Sequence, residues 1–209
     1  MGQIINFVLI NELSTMRTFY RIFAPALLLL FMVSGAPLNE NSSGSRIIEN
    51  IQQTIWHVKA LHPDGYTLDV KAFDQKGNRY DVKALQDATQ SYIMDVKTFV
   101  GSKELPVKVL VSEEEYKPVA AIDENGNLYN IKAIDKNGKF LPVKGVRKSG
   151  YIIHIKALGP EGAYYGVKAI SSNGKLNDVK GVKMYDKRLE TTMYGVEVHA
   201  HVVALPQIQ

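Results

Sequence analysis

The chain has 209 residues, 45% of them hydrophobic, with no cysteine and a formal charge of +4. That is enough apolar residue for one packed domain, and it excludes disulfides and thiolate metal sites. Acids and bases are interspersed without a basic block, so no nucleic-acid partner is expected.

Residues 1–36 read as a signal peptide. From Met16, a candidate start, the chain runs through Arg17 and Arg21, an apolar stretch from Ile22 to Val33, and the small residues Ser34, Gly35 and Ala36. This is the three-part plan of an export signal, and its apolar part is shorter than the ~20 residues of a spanning helix. The expected localisation is secreted or periplasmic, with no transmembrane segment in the mature chain. Losing Arg17, Arg21 and Glu12 leaves a charge of +3. Residues 37–54, which begin "PLNENSSGSR", read as a polar linker, and residues 55–209 as a β-repeat domain.

That domain is built from one word. It stands as HVKAL at 57, DVKAF at 69, DVKAL at 81, DVKTF at 95, PVKVL at 106 and PVAAI at 118. It continues as NIKAI at 130, PVKGV at 142, HIKAL at 154, GVKAI at 166 and DVKGV at 178, with a degenerate GVEVH at 195. Most steps are 12 residues, and the exceptions are 14, 11 and 17. Within each unit polarity alternates, as in Leu68, Val70 and Ala72 against Thr67, Asp69 and Lys71. Period two predicts strands with one buried face. Between strands come HPDGY, DQKGN, DENGN and DKNGK, which fit a type I turn closed by a left-handed glycine.

A parallel solenoid with one strand per repeat does not close. Seven strand residues span about 23 Å, and the remaining five return at most about 17 Å. The expectation is an antiparallel meander of about twelve short strands, forming a closed or flattened up-and-down barrel, with a three-sheet β-prism-like arrangement as the alternative. A membrane barrel fits less well, since three outward residues per strand cover only about 15 Å of an apolar band of about 25 Å. Counting outward from each turn sets Lys59 against Asp69, Lys71 against Asp81 and Lys168 against Asp178. Continued along the strands, the count sets His57 against Lys71 and Asp69 against Lys83. Closure of the last strand onto the first would set Glu197 against His57 and Gly195 against Lys59.

The tandem YDVKA-like words after a signal peptide resemble an uncharacterised family of exported proteins in Bacteroidetes-type bacteria. The resemblance implies no activity and no functional residue.

The candidate metal set is Glu197, His199 and His201 on one strand face, joined by His57 across the seam, a pattern that holds a divalent cation. No catalytic motif stands out, and acids beside lysines are poor acid catalysts, so no catalytic residue is named. Tyr66, Tyr151, Tyr164, Phe73, Phe99 and Phe140 are expected to face outward, where they could stack on a sugar or partner or cap the barrel ends. The reading is a non-catalytic binding or scaffold module of the cell envelope or extracellular space, with a carbohydrate or protein partner. The alternative is a metal-binding protein or metal-assisted enzyme using EVHAH.

Overall fold

The alternation that buries Val and Ala turns the intervening lysines outward, and each word forms a strand in the computed structural model, which describes residues 54–87, 92–183 and 192–207. The signal peptide and all of the linker but Thr54 lie outside the described residues. Thr54 already begins β1 (Thr54–Leu61). There follow β2 (Thr67–Phe73), β3 (Arg79–Gln86), β4 (Met94–Val100), β5 (Lys103–Leu110), β6 (Lys117–Ile122) and β7 (Leu128–Ile134). Then come β8 (Phe140–Ser149), β9 (Ile152–Leu158), β10 (Tyr164–Ile170), β11 (Leu176–Val182), the two-residue β12 (Thr192–Met193) and β13 (Val196–Pro206). Among the described residues no helix is long and apolar enough to cross a membrane.

The turns form as their residues predict. In the β2–β3 turn, Gly77 N–H donates to the Asp74 carbonyl at 3.2 Å with φ at +84°, a conformation open to glycine without steric cost. The Asp74 carboxylate accepts from the backbone N–H groups of Lys76 and Asn78, each at 2.9 Å. Asp123 and Asp135 do the same in their own turns.

All pairings are antiparallel and the strands form one continuous closed barrel rather than three separate sheets. Each consecutive pair from β1 to β11 is hydrogen-bonded, so the meander is present. The wall is more connected than a simple meander. Every long strand gives one edge to a single partner, in six ribbons: β1/β10, β2/β7, β3/β4, β5/β6, β8/β9 and β11/β13. The other edge is shared between two strands, one for each half. This produces four cyclic triads: β1–β2–β3, β6–β7–β8, β9–β10–β11 and β4–β5–β13. Each pair of triads is joined by one ribbon. Four nodes joined pairwise by six edges is the connectivity of a tetrahedron, and twelve is the number of equivalent positions its rotations generate.

This arrangement corrects the expected register beyond the turns. Lys59–Asp69, Lys71–Asp81 and Lys168–Asp178 are opposed as counted. His57, however, faces Lys83 and Ile170 rather than Lys71, and Asp69 faces Ile134 on its far edge rather than Lys83. A twisted strand leaves its hairpin partner halfway and completes its ladder with another. The seam is also different. β1 closes onto β10, and β13 pairs with β4, β5 and β11, so Glu197 and Gly195 do not face β1. By register the twelfth word is His201-Val202-Val203-Ala204-Leu205, since Lys108 faces His201 and Asp95 faces Val203.

The interior is lined by the Val and Ala positions, with Ala60, Ala72, Ala84, Ala133, Ala157 and Ala169 fully enclosed. Val109 occupies an Ala position and is also fully buried. Its extra volume is offset by glycine. A Cβ on Gly181 would lie 2.8 Å from Val109 Cγ2, and one on Gly145 would lie 2.7 Å from Ile153 Cγ2 and 3.4 Å from Val109 Cγ1. A second, outer apolar layer of Leu110, Ala120, Ile122 and Val198 lies beneath Met193 and Val196. This explains why Ala120 stands where other words have lysine. Phe73, expected outside, is buried and packs its ring 4.8 Å from Phe140, which is exposed.

The close fit at Val109 has a measurable consequence. Gly181→Ala should destabilise by about 1–3 kcal/mol through overpacking, and Val109→Ala by about 2 kcal/mol through lost burial. The double variant should be more stable than the sum by roughly 0.5–3 kcal/mol in denaturant melts.

Candidate functional site

At the centre of each triad the outward residues of three words meet. In β1–β2–β3, Lys59 donates to Asp69, Lys71 donates to Asp81, and the Lys83 amine lies 3.1 Å from His57 Nδ1. The arrangement is a three-bladed ring in which each lysine reaches the residue that opens the next word. These acids are held below the usual carboxylate range, chiefly by the lysine hydrogen bonds. The rings also relieve a repulsion, because the ribbons set Lys59 against Lys168, Lys71 against Lys132, Lys83 against Lys97 and Lys144 against Lys156. Like charges directly opposed across strands are destabilising.

Ten of the twelve words carry this lysine, and nine of the ten have a partner. Beyond those just named, Lys97 has Asp95 at 3.6 Å, Lys108 meets His201, and Lys144 donates to Glu114 at 2.6 Å. Lys132 lies 5.4 Å and 5.5 Å from the ring centroids of Phe73 and Phe140, and Lys168 and Lys180 share Asp178. Lys156 alone has no ion pair, hydrogen bond or aromatic ring as a partner among the described residues. Its register partner is Gly166, where the equivalent position in four other words is Asp.

Lys156 lines a cavity of about 560 Å³ with Glu115, Tyr116, Val146, Arg147, His154 and Tyr164. Three features of the chain build it. The β5–β6 connection brings Tyr116 to Tyr164, hydroxyl to hydroxyl at 2.6 Å with the rings edge to face at 6.1 Å. A bulge in β8 between Gly145 and Arg147 re-aims the strand, opposing Arg147 to His154, as bulges commonly do. The third feature lies beside the cavity: Gly166 has no side chain, and a Cβ there would stand 3.8 Å from the Lys156 amine. Burial lowers the Lys156 amine from its ordinary value, Lys180 and Lys168 lower it further, and Asp178 opposes them. Burial and then Lys180 likewise lower the His154 imidazole, which favours its neutral form. Burial pushes the Asp178 carboxyl up, but the Lys168 hydrogen bond and the Lys180 charge together bring it below its usual range. The Tyr116 hydroxyl is raised by its bond to Tyr164 and then by Glu115. The chemistry is that of a half-buried cationic pocket edged by tyrosine hydroxyls, suited to holding an anion.

The residues proposed for a metal are not brought together. Glu197, His199 and His201 share the outer face of β13, but Glu197 pairs with Thr192 at one end while His201 sits in the β4–β5–β13 ring against Lys108. His57 belongs to the β1–β2–β3 ring. Among the described residues no group of three His, Asp or Glu could hold a metal ion. Of the aromatics, Tyr151 and Tyr164 are exposed as expected, and Tyr66 is stacked on His62 at 4.2 Å. Sequence reasoning missed Lys156, Arg147 and Tyr116. The available signal was Gly166 in a position where three other word lysines find an aspartate.

A protein-family model matches residues 52–205, and its description is a family of unknown function. No curated protein and no solved structure matches the chain.

The electrostatics of the pocket can be read by titration. With a folded pKa below its unfolded value, Lys156 binds fewer protons folded than unfolded between the two, so its contribution to stability rises with pH across that window. NMR titration of the lysine side chains should place Lys156 below the ordinary lysine value, with Asp178→Asn moving it lower. Lys156→Met should flatten the slope of stability against pH.

Proposed function

We propose, for a chain that belongs to this family of unknown function (DUF7486), an exported and non-catalytic binding module whose ligand is anionic and sits on the β8/β9 ribbon. One observation carries the reading. Eight of the other nine word lysines have an ion pair or hydrogen bond and Lys132 lies over two phenyl rings, whereas Lys156 has none of these among the described residues and stands in a cavity with Arg147, which likewise has no ion-pair partner there. An uncompensated pair of cations is costly to keep on a cationic surface, and a bound anion removes that cost. The acids nearby favour binding over catalysis, because carboxylates held ionised by lysines do not supply protons near neutral pH. Export rests on the signal-peptide pattern of residues 1–36, and a Bacteroidetes-type source on the tandem words.

Two measurements test it. On an array of acidic and neutral glycans, the protein should retain acidic members at low salt and lose them as ionic strength rises. Lys156→Gln should lose them at every salt concentration. Equal retention by Lys156→Gln would overturn the site. Fractionation of cells producing the full chain should recover a shortened protein outside the cytoplasm, and full-length cytoplasmic protein would overturn export.

A further inference from the structure

The barrel repeats its outer ring often enough to show what Lys156 lacks. At Lys59–Asp69, Lys71–Asp81 and Lys168–Asp178, the same register position supplies a carboxylate to the lysine. At Lys156 that position is Gly166, where a side chain could start without a clash. A Cβ built there would lie 3.8 Å from the Lys156 amine and 3.6 Å from Lys168 Cε, with no closer neighbour. From these internal equivalents we infer that the pocket takes a carboxylate carried by an acidic sugar, whose carboxylate completes the ring in place of the missing aspartate. This rests on the anion-binding reading above and narrows it.

Two further features fix the class. Arg147 opposes His154 across the bulge, beside Lys156. Its planar guanidinium matches a planar carboxylate through two parallel hydrogen bonds, while the Lys156 amine supplies the point charge. Beyond His154 and the apolar Val146, the lining offers hydroxyl and carboxylate groups from Tyr116, Tyr164 and Glu115. Those groups exchange hydrogen bonds with the hydroxyls of a sugar ring, and the exposed face of Tyr164 gives the ring a surface to lie on. Glu115 repels a second negative charge near the rim, so a singly charged uronic acid fits better than a dianionic phosphate. The cavity, about 560 Å³, is within the ordinary range for small-molecule pockets.

The test is an NMR titration of the full protein with glucuronic acid, glucose, glucose 6-sulfate, glucose 6-phosphate and acetate. Glucuronic acid should shift the Lys156, Arg147 and Tyr164 resonances, glucose should not, and acetate should bind at least tenfold more weakly. Gly166→Asp should fold, since its new Cβ meets only ordinary contacts. It should weaken glucuronic acid at least tenfold by filling the place of the ligand, and it should raise the Lys156 pKa. Lys156→Arg should keep most of the binding. Tighter binding of the sulfated or phosphorylated sugar would overturn the carboxylate while leaving an anion pocket. Acetate binding as tightly as glucuronic acid would overturn the sugar. Undiminished glucuronic acid binding by Gly166→Asp would overturn the ring-completion argument. Absence of binding by every anion would overturn the pocket itself.

Discussion

Backbone hydrogen bonding shared three ways is the constraint from which the rest of the molecule follows. A strand of about seven residues has two edges, and a closed wall must pair both. Here one edge pairs along its length and the other is divided between two neighbours. Among the described residues, six ribbons and four triads pair both edges of all twelve long strands. Such a wall bends in every direction, so it encloses a single interior from strands too short to form a tall barrel. The price is a small residue near each crossing, which is why Ala60, Ala72, Ala84 and Ala133 have no exposure, and why glycine at 145 and 181 accompanies valine at 109.

The outer surface answers the same geometry with charge. Ribbon pairing places lysine opposite lysine, and triad pairing places lysine opposite the opening residue of the next word. Attraction within triads thus offsets repulsion across ribbons. Individual exposed pairs are worth only a few tenths of a kcal/mol to about 1 kcal/mol, so their weight lies in register and in spreading charge evenly. Where the lattice departs from the rule, the departure has a local cause. Ala120 is covered by the β12–β13 hairpin, whose turn also brings the Tyr194 carbonyl against Gly126. At Gly166 no carboxylate meets Lys156, and the lysine lines a pocket instead.

The pocket is therefore a defect in a periodic structure, and its chemistry is defined by contrast with intact copies. An isolated lysine on an ordinary β-surface would carry little information. Nine partnered equivalents make its lack of a partner specific, and three of them show an aspartate in the position that Gly166 holds.

Local patterning set the repeat, the strand in every word from β1 to β11, the antiparallel direction, the inward Val and Ala faces, the glycine turns and the lysine–aspartate pairs beside those turns. All of these are local: they depend on period-two alternation and on turn chemistry within about a dozen residues. It did not determine that β2 would find β7, that β1 would close on β10, that the twelfth word is HVVAL at 201 rather than GVEVH at 195, or that His57 and Glu197 would part. Nor did it reveal the pocket, because Tyr116, Arg147 and Lys156 come from three separate strands or loops. Only the tertiary structure decided these, since identical words present identical edges and hydrophobic patterning cannot rank one partner above another. Closure of all twelve strands around one packed interior makes that choice.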